Sequence, residues 1–163
     1  MKYNDLNSGR LNRRAVLAAL TLLFAAAPFG ARAAASAIHI RKDPGCACCT
    51  MWTDILKAEG FTVTEEEMNN YDLIAFKREK GVPIGLVSCH TGLIDGYVIE
   101  GHVPPADIRK LLAERPDAVG IAVGGMPYGS PGMGPEAERE AYDVMLFKTD
   151  GSTSLFTRYN AAS

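Results

Sequence analysis

Beyond residue 33, apolar positions first gather in "AIHI", Ala37 to Ile40, a short stretch that runs into the turn cluster Asp43-Pro44-Gly45 and predicts a strand entering a tight loop. Beyond it Trp52, Ile55 and Leu56 recur at i, i+3 and i+4, and Gly60 stands where a helix would close. "FTVTEE" sets Phe61 and Val63 between threonines, the two-residue period of a half-buried strand. Tyr71 to Lys80, with Leu73, Ile74 and Phe76, predicts a second helix stopped by Gly81 and Pro83. "TGLI" and "YVIE" flank Asp95-Gly96, the strongest short hairpin signal. Pro104 and Pro105 then open a third helix with Ile108, Leu111 and Leu112 on one stripe, and Pro116 ends it. The predicted order is βαβαββα, an α/β thioredoxin-like layout with a small sheet between helices on both faces. The cysteine-bearing segment lies at its first strand-to-helix turn.

Beyond Pro116 the pattern changes. "GIAVGGMPYGSPGMGPE" reads as an irregular run of glycine, proline and methionine, and "YDVMLF", "TDG" and "STSLFTRY" read as a closing hairpin. Residues 117–163 are therefore expected to be a C-terminal extension of the same domain. No internal repeat is present, and 163 residues with 47% hydrophobic and 22% charged positions suit one domain with an ordinary core.

The first 33 residues do not fit that domain. Arg13 and Arg14 precede an uncharged run from Ala15 to Phe24, and Ala-x-Ala pairs follow at Ala31 to Ala33 and Ala35 to Ala37, the pattern of a cleavable export signal. "NRRAVL" approximates a twin-arginine signal, and the general secretory route is the alternative. The apolar run is too short to span a bilayer, for which about 20 residues are needed, so no stable membrane anchor is expected. Residues 1–33 are read as the signal, residues 34–163 as the mature domain, and the periplasm as its location. The signal carries five basic residues and one acid, so its loss takes the net charge from −2 to −6. A net acidic body argues against nucleic-acid binding, which needs basic patches.

The candidate chemistry is sulfur. "PGCACC" places Cys46, Cys48 and Cys49 within four positions, and the chain has one further cysteine, Cys89. In an oxidising compartment four cysteines first suggest two structural disulfides. Only one clustered thiol can pair with Cys89, however, which leaves two to close a cramped ring. Dithiol exchange is the second reading, because Cys46 and Cys49 form a C-x-x-C where a helix N-terminus would stabilise a thiolate. Against it, Cys48 sits inside the motif as a competing thiol, and "VSCHT" has no proline beside Cys89. The third reading is a soft-metal site. Thiolates on one turn are close enough to bridge ions, and copper(I), content with two or three sulfurs, suits that crowding better than tetrahedral zinc or an iron–sulfur cluster.

Cys89 and His90, in "SCHTG", begin a strand expected to face the C-x-x-C turn, so both join the predicted ligand set, imidazole being a good copper ligand. Met126 and Met133 lie in the glycine-rich loop rather than on an apolar stripe, and their thioethers are soft enough to serve as further ligands. His102, at a helix entrance, is expected to cap or pack, and His39 to be structural. Met51, Met68 and Met145 sit in regular elements and are read as core.

With "PGCACC", "GVP", "SCHTG", "GYVIEGHVP", "LLAERPDA" and "GMPYGSPGM" assembled, the chain resembles the CopG-like family of periplasmic copper-resistance proteins across essentially the whole mature chain. The resemblance implies a thioredoxin-like domain whose C-terminal extension contributes to metal binding. It also implies a thiolate-bridged site holding more than one copper, through Cys46, Cys48, Cys49, Cys89, His90, Met126 and Met133, and interconversion of Cu(I) and Cu(II). Periplasmic copper-handling proteins, or an electron donor or acceptor, are the expected partners. Whether such a protein works as a copper-dependent oxidoreductase, a passive chaperone or store, or a metal-free thiol-disulfide oxidoreductase stays open on the sequence.

Overall fold

The computed structural model describes residues 36–163, which fall within one unit, Ala34–Ser163. The export-signal assignment lies outside the described residues. Among the described residues no helix is long and apolar enough to cross a membrane.

Strands β1 (Ala37–Lys42), β2 (Thr62–Glu67), β3 (His90–Ile94) and β4 (Tyr97–Glu100) alternate with helices α1 (Ala47–Ala58), α2 (Asn70–Glu79) and α3 (Pro105–Glu114) in the expected βαβαββα order. Three more strands follow: β5 (Gly120–Ala122), β6 (Tyr142–Phe147) and β7 (Thr153–Tyr159). All seven form one sheet in the order β2-β1-β3-β4-β5-β6-β7, with β1–β2 and β4–β5 parallel and the other pairs antiparallel.

Register explains the layering. Ile40 pairs with Gly92, Gly92 with Ile99, Ile99 with Ile121 and Ile121 with Leu146, so these positions share one face. Trp52 and Leu56 of α1 and Ile108 and Leu111 of α3 close over it, all fully buried. Each such aliphatic side chain stabilises the fold by about 1.5–3 kcal/mol. Val82, Val98, Ala122 and Phe147 form a smaller cluster on the opposite face, where α2 lies. There Lys77 is buried and reaches Thr91 and Glu100 of the sheet. The α2 stripe is Leu73, Phe76 and Lys77; Ile74, counted with the apolar positions in the sequence, is 51% exposed.

One feature differs from the expected layout. The run after Pro116 is not wholly irregular, because Gly120, Ile121 and Ala122 pair with both β4 and β6 and join the extension to the main sheet. A three-residue strand buried on both faces has neither the length nor the alternation that would announce it. Its glycine is required by contact: a Cβ on Gly120 would overlap the Val98 carbonyl. Gly120→Ala is therefore expected to lower stability by about 3 kcal/mol, the upper end of ordinary overpacking, as a shift in the urea midpoint with little change in slope.

Candidate metal centre

Asp43 and Gly45 turn the chain out of β1, the Gly45 amide donating to the Asp43 carboxylate at 2.9 Å and the Cys46 amide to the Asp43 carbonyl at 3.1 Å. This delivers Cys46 to the N-cap of α1 with extended backbone, its Sγ accepting from the Cys49 amide at 3.3 Å. The three sulfurs of the motif thus stand on the first turn of α1, where unpaired amides and the helix dipole favour negative charge. Cys46 and Cys49 are joined as a disulfide, and Cys48 and Cys89 are free thiols.

The sheet supplies the facing groups. β1 and β3 are antiparallel neighbours, so the start of β3 lies beside the end of β1, and Lys42 pairs with His90. Cys89 comes to 3.9 Å from Cys48, sulfur to sulfur, while Cys48 lies 3.5 Å from Cys46. Cys89 Sγ is also 3.3 Å from His90 Nδ1 and 3.2 Å from His102 Nε2. Two donor groups result, each with its atoms within 4.8 Å: Cys46, Cys48, Cys49 and Cys89, and Cys89, His90 and His102. Cys89 belongs to both.

His102 is the residue whose part in this cluster the sequence did not reveal. It is buried, as a core histidine would be, but the N-cap of α3 is Pro104 and the His102 ring turns to the thiol. Its Nδ1–H donates to the Pro131 carbonyl at 2.8 Å, leaving the Nε2 lone pair toward Cys89. Metal-bound imidazoles are usually oriented in this way. The local string "GHVPP" gives no hint of a carbonyl 29 residues away. His90 is fully buried against Trp52, ring centroids 4.2 Å apart, and its Nε2 has no hydrogen-bond partner among the described residues. A buried polar atom without a partner costs about 1–3 kcal/mol and marks a group retained for something other than folding.

The electrostatics keep these groups neutral without metal. Burial, then the His102 and Lys77 charges, hold His90 well below the usual imidazole range, and burial also lowers His102. Both therefore keep a free lone pair at neutral pH. Burial, reinforced by Cys48, pushes the Cys89 thiol up to about 12. A soft cation that displaces that proton supplies the charge the pocket otherwise disfavours.

The glycine-rich loop is tied to this cluster at three points. Gly125 donates to the Val87 carbonyl at 3.2 Å, and the Ser88 hydroxyl donates to the Gly125 carbonyl. Pro131 holds His102, and Gly132, at φ +84°, packs so closely on Cys48 and Trp52 that a Cβ would meet the Trp52 amide nitrogen at 2.8 Å. Met133 follows that contact and is half-buried, while Met126 follows Gly125 and is 55% exposed. Of the residues predicted from sequence, Cys46, Cys48, Cys49, Cys89 and His90 converge on the donor groups. Met126 and Met133 lie on the loop beside them.

A family model described as "Protein of unknown function, DUF411" matches residues 86–133, the stretch that carries Cys89, His90, His102 and the loop. No curated protein sequence matches the chain. Two solved structures do, both of copper resistance protein CopG. Form 1 is 46% identical, with a TM-score of 0.72, and the match covers 77% of this chain and 98% of that one. Form 2 is 46% identical, with a TM-score of 0.71, and the match covers 77% and 99%. Identity of that degree over nearly the whole of both structures shows that the chain belongs to the CopG-like copper-resistance family.

Proposed function

We propose that this is an exported copper-resistance protein that takes copper as cargo at the first turn of α1. The observation that carries the reading is the pair of overlapping donor groups joined at Cys89, four sulfurs and two neutral imidazoles, in a chain similar to proteins named for copper resistance. Thiolate and imidazole together suit copper in either oxidation state. The order β2-β1-β3-β4 supports a thioredoxin-like core for 34–116, with 117–163 as the extension that positions His102 through Pro131.

Bonded to each other, Cys46 and Cys49 are weak ligands. Two electrons and two protons convert them to thiols, and displacement of the protons of all four cysteines by copper would give four thiolates, three on the helix turn and Cys89 facing them. More than one Cu(I) can then be shared among them, with Met133, and Met126 at the exposed rim, adding thioether donors. The same dithiol can give electrons to Cu(II), which is how the protein would interconvert Cu(I) and Cu(II) with a periplasmic electron partner.

The test is a Cu(I) titration against a competing chelator, on protein reduced and on protein carrying the Cys46–Cys49 disulfide. The reduced form is expected to bind more than one equivalent and the oxidised form fewer. Equal stoichiometry in both would remove Cys46 and Cys49 from the ligand set. A chaperone or store would bind the same copper without changing its oxidation state, which absorption and electron paramagnetic resonance during reaction with Cu(II) and the reduced protein would show.

The Cys46–Cys49 disulfide favours a second reading, a thiol-disulfide oxidoreductase without metal in its cycle. It predicts reduction of an insulin-like disulfide by the metal-free dithiol, lost in Cys46→Ser and kept in Cys48→Ser.

A further inference from the structure

Cys48 has an unusual pair of neighbours. One is a sulfur already in a disulfide, Cys46 at 3.5 Å, and the other is a free thiol, Cys89 at 3.9 Å. Sulfurs at those separations are in van der Waals contact, and thiol–disulfide exchange needs only that a thiolate reach a disulfide sulfur. We infer that the chain moves its own disulfide, from Cys46–Cys49 to Cys48–Cys89, by two exchanges through Cys48, and so alternates between two ligand sets.

The steps balance within the molecule. Cys48 Sγ, as thiolate, attacks Cys46 Sγ; the Cys46–Cys48 bond forms, the Cys46–Cys49 bond breaks, and Cys49 leaves as a thiolate that takes up the proton Cys48 gave to solvent. Cys89 Sγ, 3.9 Å from Cys48 Sγ, then attacks it as a thiolate, its proton given to solvent. The Cys48–Cys89 bond forms, the Cys46–Cys48 bond breaks, and Cys46 leaves as a thiolate that accepts the proton. Its negative charge is received at the N-cap, where the Cys49 amide already points at Cys46 Sγ. One disulfide and two thiols are present before and after, so no outside oxidant or reductant is needed.

The two isomers offer metals different partners. With the bond at Cys46–Cys49, the free donors are Cys48, Cys89, His90 and His102, a mixed sulfur and nitrogen set. With the bond at Cys48–Cys89, the free sulfurs are Cys46 and Cys49, two thiols on one helical turn that suit a monovalent soft ion, and His90 and His102 are left without their thiol partner. The position of a single bond would thereby select the ion the site prefers. The exchange rests on sulfur positions only; its consequence for metal rests on the function proposed above.

Trypsin separates the isomers. Residues 43–57 form one tryptic peptide with Cys46, Cys48 and Cys49, and residues 81–109 form another with Cys89. A Cys46–Cys49 bond stays inside the first peptide; a Cys48–Cys89 bond joins the two. Metal-free protein with one disulfide and two thiols is held at pH 8, quenched in acid at intervals, blocked with N-ethylmaleimide, digested and measured by mass spectrometry. The expected result is a joined peptide whose share grows to a plateau and whose fragments place the bond at Cys48, with loss of that species in Cys48→Ser. Wild-type protein whose disulfide remains within residues 43–57 at every time would overturn the inference, as would a joined peptide of equal yield in Cys48→Ser. Because no metal is present, failure here with copper binding intact would leave the proposed function standing.

Discussion

Cys89→Ser is expected to weaken Cu(I) binding by more than about 100-fold, beyond the 10–100-fold that loss of a supporting contact around a metal site typically produces. Cys89 is the one residue common to both donor groups, and it touches Cys48, His90 and His102 at once. Serine keeps the shape and removes the soft donor, so the sulfur cluster loses its fourth member and the histidine pair loses its thiolate. Cys48→Ser should cost less, since it leaves the Cys89–His90–His102 group whole. Competition titrations of the two reduced variants against one chelator would rank them, and equal affinities in both would mean that Cys89 does not join the two groups.

The second large effect concerns stability. Lys77 Nζ donates to Glu100 Oε1 at 2.7 Å, with the side chains 2% and 0% exposed, and Thr91 Oγ1 donates to Glu100 Oε2 at 2.7 Å. Glu100 Oε1 also receives the Ser88 amide at 2.7 Å, immediately before Cys89. Lys77→Met strands a buried carboxylate and is expected to cost about 3–5 kcal/mol. That is a large part of the roughly 5–15 kcal/mol that holds a domain folded.

The pH dependence has a definite sign. Burial pushes the Glu100 carboxyl above its ordinary 4.5, against the pull of Lys77, and loss of Lys77 lets it rise further. Both folded proteins hold a proton that the unfolded chain releases above about 4.5, so the variant's deficit deepens as pH rises through the wild-type folded-state value toward the variant's higher one. Urea melts of wild type and variant at several pH values would check this, and a deficit independent of pH would argue that the carboxyl stays charged. The double variant Lys77→Met, Glu100→Gln should recover part of the loss.

The hairpin at Asp95-Gly96 and the buried faces of α1 and α3 could be read along the chain because each is specified by residues within a few positions of one another. The candidate site was legible to the extent that its donors sit beside a recognisable strand-to-helix turn: Cys46, Cys48, Cys49, Cys89 and His90 needed only the expected strand order to bring them together. His102 was not, because its orientation depends on Pro131, and Lys77 was not, because a lysine on an amphipathic helix gives no sign that Glu100 waits beneath it. β5 escaped for want of length. Which two of four cysteines share a bond depends on electron supply as well as spacing, so the C-x-x-C pattern named a pair without naming its oxidation state.

The pairing of Gly120–Ala122 along Val98–Glu100 also governs how the molecule behaves toward its own copies. Without the residues after Asp117, the flank of β4 would present bare amides and carbonyls in the middle of what is now a continuous sheet, an invitation to intermolecular strand addition. The C-terminal strands therefore cover a flank on which copies of the chain could otherwise add strand to strand.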